Sequence, residues 1–596
     1  MESSSQHDWS RWYWRVVLAG VIIGMSFGTW GYLIYAGENA SFSTALYHAV
    51  QLFAIHMPLL EKPINLPLDI GRWAAAISSG LAVFLLLSRA FLTEWRLFHM
   101  HWAENHVVVC GLGEVGTRLA LEFSRSGRKV VAIERAATAS GVAEVESQGI
   151  TVVIGDAKDP ETLRKLRAHY AMIVLAVCSD DDTNIAITVA VRDIAAAEKS
   201  APPNAECLLL LADPDLHERV APHLTSAGGA GEFRIKVGGF DMPEMVARLA
   251  FDEHPLDFDG IREQDSARVH LVVVGTCPLS EALAVKALQL CHFANRSRPR
   301  LTVVGNDAQG LVLRLRQRHP HADPWYEAHA VECNHGDPAL PGKVAALLGR
   351  DELVTVAICP GSGDGGDVES QNVLIAMAIE NALQTGNPAK QTQILVYLRR
   401  RSGFGSLFGS MGKSGEGASI HAFGLIETLY NRDMLLHEKQ DAVAMALHED
   451  YQKRHGGDEW SKLTEAFRDS NRLASDHIPV KLRAIGLRMA DKSKGKPADL
   501  TVFKTPEDKN AAADPELVLL AEMEHSRWCA ERWLLGWRFG KPKDREERIH
   551  LKINRDLVSW AQLDPEERKK DWEQIRAIPD ALGMVGKMIV RAKPQE

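Results

Sequence analysis

A run of 21 residues without a formal charge, Val16 to Ala36, is the feature that most restricts how this chain can fold. A helix rises about 1.5 Å per residue, so the run is long enough to cross the roughly 30 Å hydrocarbon core of a bilayer. The run therefore predicts a membrane-spanning helix. A cleaved signal peptide is the alternative, but the run is long for a signal sequence and shows no obvious small-residue cleavage site.

A second uncharged run, Trp73 to Ser88, has only 16 residues, but Arg72 and Arg89 can extend it by reaching toward the membrane surface. The two runs predict a transmembrane hairpin of two helices. Basic residues lie before the first run and after the second, namely Arg11, Arg15, Arg89 and Arg96. Under the positive-inside rule, this predicts a multi-pass protein of the inner (cell) membrane with both termini and the large domains in the cytoplasm, and with membrane lipid as a partner.

Composition also separates this segment from the rest of the chain. Seven of the fourteen tryptophans lie in the first 102 residues, whereas all eight cysteines lie between Cys110 and Cys529. The net charge of −9 argues against a protein that binds nucleic acid by bulk electrostatics, so we expect no nucleic-acid partner.

The segment between the runs, Gly37 to Gly71, contains a short apolar amphipathic stretch followed by three prolines. Two spans with a short helix between them resemble the pore module of potassium channels. A potassium filter is a ring of backbone carbonyls held by glycine-rich loops. Here no glycine occurs from Glu38 to Ile70, and His56, Met57 and Pro58 stand where the filter would begin. A selective potassium pore, a different or less selective pore and a plain membrane anchor all stay open as interpretations.

An apolar strand, His106 to Cys110, leads directly into a glycine motif and then a helical pattern; the motif is Gly111, Leu112, Gly113, Glu114, Val115 and Gly116. In this arrangement the first glycine makes a tight turn, the second lets the backbone approach a pyrophosphate, and the third lets the helix pack closely on the strand. The helix N-terminus supplies amide donors for phosphate. The next strand ends in Glu134, which would accept hydrogen bonds from ribose hydroxyls and favours NAD or an adenosine nucleotide over NADP.

These residues resemble the RCK, or TrkA N-terminal, domains that regulate potassium channels and transporters. The resemblance also rests on Gly155-Asp156-Ala157 after a third strand and on the Ser179 to Asn184 segment after a fourth. It implies that Asp156 and the turn of Cys178 and Ser179 approach the adenosine of NAD(H) or of an adenine nucleotide such as ATP or ADP. The cofactor-binding set is then Gly111, Leu112, Gly113, Glu114, Val115, Gly116, Glu134, Arg135, Asp156, Ala157 and Ser179. For Asp156 the alternative is an N-cap before the helix that starts at Pro160.

The same order of elements recurs further along the chain, which indicates a tandem duplication. Val269 to Val274 ends at Gly275, and Gly336-Asp337 repeats Gly155-Asp156. The second copy has Gly275-Thr276-Cys277-Pro278 in place of the glycine triplet, so its phosphate cradle is degraded. We therefore expect the second lobe to be a structural partner of the first rather than an independent nucleotide site.

The last part of the chain resembles the RyR domain, the repeat first described in ryanodine receptors. The resemblance rests on Trp460, on Ser470-Asn471-Arg472, on the segment Leu520 to Trp533 and on Gly536-Trp537. On a helix Glu524, Arg527, Trp528 and Glu531 share one face, and with Arg532 and Trp537 they would hold a planar, adenosine-like ligand by stacking and polar contacts. The alternative is a buried ion pair that orients helices around a tryptophan core.

The expected fold is thus α/β: two tandem Rossmann-like lobes, preceded by a two-helix transmembrane hairpin and followed by a mainly α-helical RyR domain. The expected domains are the hairpin at 1–104, the first RCK lobe at 105–255, the degenerate second lobe at 266–439 and the RyR domain at 440–596. No acid or base is placed to face a cofactor, so we expect no catalytic residues, no metal site and no enzyme activity.

These expectations describe a ligand-gated sensor, in which nucleotide bound to the RCK lobes, and ligand bound to the RyR domain, control a membrane ion pathway. That pathway would be potassium or cation channel-like, or belong to a regulated transporter. A nucleotide-triggered membrane effector in cell defence and a non-channel scaffold are the alternatives. A homo-oligomer, dimer or tetramer, is expected because two short spans cannot enclose a pore.

Overall fold

The computed structural model of this chain describes residues 3–37, 41–56, 63–100, 103–202, 205–211, 233–238, 242–361, 366–385, 391–399, 418–425, 440–492, 496–504 and 514–592. The chain divides into two compact units, Met1–Leu211 with Asp215–Gly238, and Ala212–Pro214 with Gly239–Glu596. The second unit therefore includes helix Met242–Glu253, which the sequence-based boundary at residue 255 assigned to the first lobe.

The N-terminal segment is helical: α1 (Ser3–Ala36), α2 (Phe42–Gln51) and α3 (Leu66–Met100). Within the described residues, one stretch passes the length and polarity test for a membrane span, Arg15–Ala36 in α1. The second expected span, Trp73 to Ser88, lies inside the continuous helix α3. Helix α2 forms in the predicted amphipathic stretch, while Met57 and Pro58, at the expected filter position, lie outside the described residues.

Glycines hold α1 against α3. Gly20, Gly24, Gly28 and Gly31 follow one another at intervals of four or three residues, so they lie along one side of α1. A Cβ atom on Gly31 would lie 2.4 Å from the backbone nitrogen of Leu68, and one on Gly20 would lie 2.8 Å from Cβ of Ser78. The two helices are therefore antiparallel with their backbones in near contact, which is the small-residue packing typical of membrane helices.

The outer sides of these helices are apolar and exposed. On α1 the exposed fractions of Leu18 and Ile22 are 60% and 58%, and on α3 those of Ile77 and Phe84 are 64% and 66%. Contiguous exposed apolar surface of this kind is rare on soluble monomers and marks contact with a membrane or with other chains.

The first lobe is a parallel sheet in the strand order β3-β2-β1-β4-β5-β6. Its strands are β1 (Val107–Cys110), β2 (Val130–Glu134), β3 (Thr151–Ile154), β4 (Ile173–Ala176), β5 (Glu206–Leu210) and β6 (Arg234–Gly238). Its helices are α4 (Glu114–Arg125), α5 (Ser140–Ser147), α6 (Pro160–Lys165) and α7 (Asp181–Glu198). Strands β1 and β4 are apolar and wholly buried, as expected for central strands covered on both faces.

The second lobe repeats this topology, with strand order β12-β11-β10-β7-β8-β9 and parallel pairing throughout. Its strands are β7 (Arg268–Val274), β8 (Arg300–Gly305), β9 (Glu327–Glu332), β10 (Glu352–Ile358), β11 (Gln391–Tyr397) and β12 (Ser419–Phe423). Its helices are α8 (Met242–Glu253), α9 (Pro278–Leu290), α10 (Ala308–Arg318), α11 (Leu340–Leu347) and α12 (Gly366–Thr385). The prediction of two tandem Rossmann-like lobes is confirmed.

The C-terminal part of the second unit is mainly helical. Its helices are α13 (Gln440–His455), α14 (Glu465–Asp476), α15 (Ile478–Ala484), α16 (Pro515–Leu534), α17 (Arg545–His550) and α18 (Pro565–Met584). Two small sheets accompany them, one of β13 (Leu487–Asp491) with β16 (Lys587–Arg591), the other of β14 (Arg538–Phe539) with β15 (Ile553–Asn554).

Buried charges join the C-terminal helices to the second lobe. Asp476, at the end of α14, accepts from Arg248 Nη2 of α8 at 2.6 Å and from Lys286 Nζ of α9 at 2.7 Å. Next to it, Arg483 of α15 donates to both carboxylate oxygens of Asp257, at 2.7 and 2.9 Å. Each pair joins a residue of the lobe to a residue of the C-terminal helices, so the two parts pack as one body.

The junction also contains a ring contact. Trp325, between α10 and β9, stacks on Trp533 of α16 with ring centroids 4.4 Å apart. The two rings add apolar contact area to the charged pairs.

We predict that Asp476→Asn lowers the free energy of unfolding of the second unit by about 3 kcal/mol at pH 7, because Arg248 and Lys286 would lose a buried carboxylate partner. Burial alone would raise the pKa of Asp476, but these two cations outweigh it and hold the pKa at about 2. The stabilisation is therefore complete above the unfolded-state pKa of about 4 and is lost as the pH falls through 2.

Urea unfolding followed by tryptophan fluorescence at several pH values tests this. The gap between parent and variant should shrink from pH 5 toward pH 2. Asp469→Asn, on the same helix but with its side chain 57% exposed, is the control and should cost less than about 1 kcal/mol. Equal effects of the two substitutions at pH 7 would contradict the role of Asp476.

For the hairpin, we predict that Gly31→Ala destabilises the packing of α1 on α3 by about 1–3 kcal/mol, because the new methyl group would overlap the backbone of Leu68. Gly80→Ala on α3 is the matched control, since a Cβ there meets no atom within 4 Å. Both substitutions raise helix propensity equally. Thermal unfolding in detergent should show a lower Tm for Gly31→Ala only; equal Tm values would rule out this contact.

Candidate functional site

The candidate site of the first lobe lies at the carboxyl ends of β1 and β4, where the strand order reverses. Ligands of doubly wound sheets bind at this switch point. Gly111 follows β1 with a φ of +97°, and a Cβ atom on it would lie 2.9 Å from Sγ of Cys178, in the turn after β4. Only glycine combines this backbone angle with so close an approach, so the first glycine makes the turn that the sequence assigned to it.

The other two glycines of the motif differ in their surroundings. A Cβ on Gly116 would lie 1.8 Å from the carbonyl oxygen of Gly111, so this glycine lets α4 approach the turn. Gly113 is the N-cap of α4 and has an ordinary φ of −64°, and a Cβ atom on it would meet no other atom within 4 Å. The first turn of α4, which contains Glu114 and Val115, thus starts beside open space, where its amide groups can receive an anion.

Glu134, at the end of β2, lies against this turn. One carboxylate oxygen accepts from the backbone N–H of Leu112 at 2.6 Å, and the other accepts from that of Ala136 at 3.0 Å. These two bonds fix the carboxylate beside the glycine motif. Because a carboxylate has about four acceptor positions, it can still accept from ribose hydroxyls.

Three further residues of the predicted set lie near the same edge with different exposure. Arg135 and Asp156 are exposed, whereas Ala157 is buried in the core of the lobe. Asp156 accepts from the backbone N–H of Lys158 at 2.9 Å. The N-cap of α6 is Asp159, whose side chain accepts from the N–H groups of Glu161 and Thr162, so the capping alternative for Asp156 is wrong.

The turn after β4 is held by Asn184, a fully buried side chain of α7. Its amide oxygen accepts from Cys178 N at 2.8 Å, and its amide nitrogen donates to Cys178 O and to Leu210 O, both at 2.9 Å. Ser179, predicted to approach the adenosine, is exposed in this turn. The position of Ser179 therefore depends on Asn184.

The electrostatics of Cys178 show which groups converge here. Burial, together with the carboxylates of Glu134, Asp156 and Asp180, raises the pKa of Cys178 to about 11, while Arg135 opposes these effects. The ends of β2, β3 and β4 therefore bring their acidic residues to one place, as expected of parallel strands. The Cys178 thiol stays protonated at neutral pH.

Two residues of this site carry no motif that sequence reasoning could use. Thr117 of α4 donates its hydroxyl to Leu112 O at 3.1 Å and so ties the helix to the glycine turn. Gly141 of α5 sits against both, since a Cβ on it would lie 2.1 Å from Thr117 Oγ1 and 2.3 Å from Leu112 O. Neither residue was predicted, because only the folded chain brings α5 to the turn.

In the second lobe the equivalent turn is filled by side chains. Gly275 keeps the left-handed geometry, with a φ of +139°. Two positions further, where the first lobe has Gly113, stands Cys277, and the position of Gly116 is taken by Ser280, which is fully buried. Pro278 begins α9 and has no N–H to offer a phosphate. The glycines that would leave room for a phosphate are thus replaced by side chains, as expected from the sequence of the second lobe.

The six residues singled out in the C-terminal region separate into two groups. Glu524, Arg527 and Glu531 of α16 are buried, with exposed fractions of 1%, 3% and 3%. Arg527 Nη2 donates to Glu524 Oε1 at 2.8 Å, and Arg527 Nη1 donates to Glu531 Oε2 at 2.7 Å. Lys481 of α15 completes the network, with its Nζ 2.5 Å from Glu524 Oε2.

This network ties α16 to its neighbours. Burial would raise the pKa of Glu524, but Arg527 and Lys481 lower it to about 2, so the carboxylate is ionised at neutral pH. Gln574 of α18 also donates to Glu524, at 3.0 Å. Glu524 therefore joins α15, α16 and α18, which is the arrangement of the buried ion-pair alternative.

The second group consists of Trp528, Arg532 and Trp537, which are half-buried. The Arg532 guanidinium lies 5.7 Å from the ring centroid of Trp528 and 5.6 Å from that of Trp537. A cation between two aromatic rings offers both stacking surfaces and a charged donor. Beside it, the buried Glu531 Oε1 lies 3.6 Å from Arg532 Nη2 and accepts no hydrogen bond.

The fold and the glycine turn define the first lobe as a doubly wound α/β domain of the Rossmann type. The sequence model of the TrkA-N domain family matches residues 107–201. This part of the chain, from β1 through the end of α7, is therefore a TrkA-N domain.

Similarity beyond that domain is distant. Potassium channel protein 1 of Methanocaldococcus jannaschii is 26% identical over 261 residues, which are 41% of this chain and 77% of the relative. The match to the structure of the GsuK channel bound to NAD spans 82% of this chain and 88% of the GsuK chain, with 11% sequence identity and a TM-score of 0.37. The match to the structure of GsuK bound to ADP spans 72% of this chain and 100% of the GsuK chain, with 13% sequence identity and a TM-score of 0.35.

Proposed function

We propose that this chain is a membrane-anchored sensor in which an adenine nucleotide, NAD(H) or ATP or ADP, binds the first lobe and controls an ion pathway. One observation carries the nucleotide part. The open N-cap at Gly113 and the Glu134 carboxylate lie on either side of Leu112, whose N–H bonds to that carboxylate at 2.6 Å. Amide donors for a phosphate and a carboxylate acceptor for ribose hydroxyls are thus next to each other, as a nucleotide requires.

The membrane part rests on the hairpin. Helices α1 and α3 pack through glycines and carry large apolar side chains outward, which suits two spans in contact with lipid tails or with other copies of the chain. In this arrangement the protein is multi-pass, with both termini and the large domains in the cytoplasm. A homo-oligomer, dimer or tetramer, supplies the further helices that a pathway needs.

Coupling between the lobe and the membrane follows from a short connection. Six residues separate the end of α3 at Met100 from the start of β1 at Val107. One of them, Ala103, is already part of the buried core of the lobe. A movement of β1 and its glycine turn would therefore be transmitted to α3 with little slack.

The similarity to a protein named as a potassium channel supports an ion pathway as the output. The glycine-free segment from Glu38 to Ile70 argues against a carbonyl filter of the potassium type, so the pathway we propose is cation-conducting without that filter. The alternatives are a nucleotide-triggered membrane effector and a membrane-anchored scaffold, and ion flux measurements separate them from this pathway.

A second ligand site in the C-terminal region, in the RyR-like domain, is part of this proposal. The half-buried group of Trp528, Arg532 and Trp537 is the part that remains available to a planar ligand, because Glu524 and Arg527 are committed to the buried network. Glu531 connects the two groups, because one of its oxygens accepts from Arg527 and the other lies 3.6 Å from Arg532 Nη2.

We predict that Gly113→Asp weakens nucleotide binding by about tenfold or more, because its carboxylate would occupy the position of the phosphate. The fold should be unaffected, since the site is open and Asp is a good N-cap residue. Gly113→Asn is the matched control of the same shape without the charge and should bind more tightly than the Asp variant. Isothermal titration with NADH and with ADP measures this; unchanged affinity in Gly113→Asp would place the nucleotide elsewhere.

We also predict that the purified full-length protein in liposomes conducts potassium or other cations, and that NAD(H), ATP or ADP changes the flux several-fold. The Gly113→Asp protein should show the same basal flux and little response. Release of a fluorescent dye larger than a hydrated ion would favour the membrane effector. Absence of flux under every ligand, with nucleotide binding intact, would favour the scaffold.

A further inference from the structure

The second lobe brings two cysteines together at the edge where the first lobe has its glycine turn. The two lobes correspond in their backbone hydrogen bonds: Gly275 N donates to Val304 O at 2.9 Å, as Gly111 N donates to Ile133 O at 2.8 Å. Cys277 thus occupies the position of Gly113. By the same correspondence Cys359, at the end of β10, occupies the position of Val177.

The contacts of these cysteines form a compact cluster. In its protonated form Cys277 Sγ donates to Cys359 O at 3.2 Å. The hydroxyl oxygen of Ser280 lies 3.5 Å from Cys277 Sγ and 3.4 Å from Cys359 Sγ. Cys277 is partly exposed, whereas Cys359 and Ser280 are buried. A reagent in solution can therefore reach Cys277, whereas Cys359 is shielded from solvent.

The environment favours a thiolate on the exposed member. The neighbouring Cys359 thiol, the Ser280 hydroxyl and the amides at the start of α9 lower the pKa of Cys277 to about 6 against the effect of burial. The nearby Cys277 side chain and burial raise the pKa of Cys359. Cys178, the partly exposed cysteine of the first lobe, has its pKa raised to about 11 by burial and by nearby carboxylates.

We propose that Cys277 and Cys359 form a redox-sensitive dithiol that hydrogen peroxide converts to a disulfide. Cys277 supplies the attacking sulfur and Cys359 the resolving thiol, with Ser280 holding both. The dithiol lies in the second lobe, where side chains occupy the phosphate position. Oxidation would therefore act on the protein separately from nucleotide binding in the first lobe.

The chemistry balances in two steps. The Cys277 thiolate attacks one peroxide oxygen, the O–O bond breaks, the sulfur is oxidised to a sulfenic acid, and the released hydroxide takes a proton to become water. The Cys359 sulfur then attacks the Cys277 sulfur, the S–O bond breaks, and hydroxide leaves with the Cys359 proton as water. Two thiols and one peroxide thus give one disulfide and two waters.

Mass spectrometry of the full-length protein in detergent tests the proposal without any variant. After exposure to hydrogen peroxide and digestion, a peptide pair linked through Cys277 and Cys359 is expected, and reduction should remove it. Alkylation by iodoacetamide at pH 7 should modify Cys277 roughly thirtyfold to a hundredfold faster than Cys178, because thiolate fraction outweighs the lower nucleophilicity of an acidic thiol.

Two variants identify the roles. Cys359→Ala should abolish the linked peptide and leave Cys277 as a sulfenic acid that dimedone traps, whereas Cys178→Ala should form the disulfide like the parent. Circular dichroism and Tm confirm that each variant is folded. The proposal is overturned if the parent gives no linked peptide, if Cys277 pairs only between copies of the chain, or if Cys277 and Cys178 are alkylated at the same rate.

Discussion

In each lobe of this protein, the turn after the first strand must pass against the turn after the fourth. A Cβ atom on Gly111 would lie 2.9 Å from the Cys178 sulfur, and one on Gly275 would lie 2.2 Å from Cys359 O. Both glycines also have positive φ values, which other residues adopt only with strain. Because glycine allows this close contact, the following helix starts at the switch point of the sheet. The carboxyl ends of the neighbouring strands then lie next to the helix start.

The two lobes have the same turn but different residues lining it. In the first lobe Gly113 leaves the helix start open and Gly116 lets the helix approach, so the site can accept an anion from solution. In the second lobe Cys277 and Ser280 fill the same two positions with side chains that bond to one another and to Cys359. The topology is preserved in both, and only the chemistry at the switch point has changed.

Features of the fold whose signal lies within one short stretch of sequence could be predicted. The glycine motif, the strand ending in Glu134 and the uncharged run of α1 each lie within one short segment, and the two parallel sheets follow from their repetition. Contacts between distant single residues left no such signal: Asn184 with Leu210, or Asp476 with Arg248 and Lys286, belong to no periodic pattern. The helical spacing of Arg527 and its neighbours predicted that they share one helix face. It could not predict that α15 and α18 bury this face, because periodicity does not show what packs against a face.

The charged junction between the second lobe and the C-terminal helices has a consequence for how such a chain can be rearranged. A C-terminal piece beginning at residue 440 would carry Asp476 and Arg483 without Arg248, Lys286 and Asp257, and would uncover the ring of Trp533. A recombination that joined this region to a different lobe would leave buried charges without partners on both sides. The second lobe and the C-terminal helices thus form one exchangeable module, and gene fusions that preserve function should transfer them together.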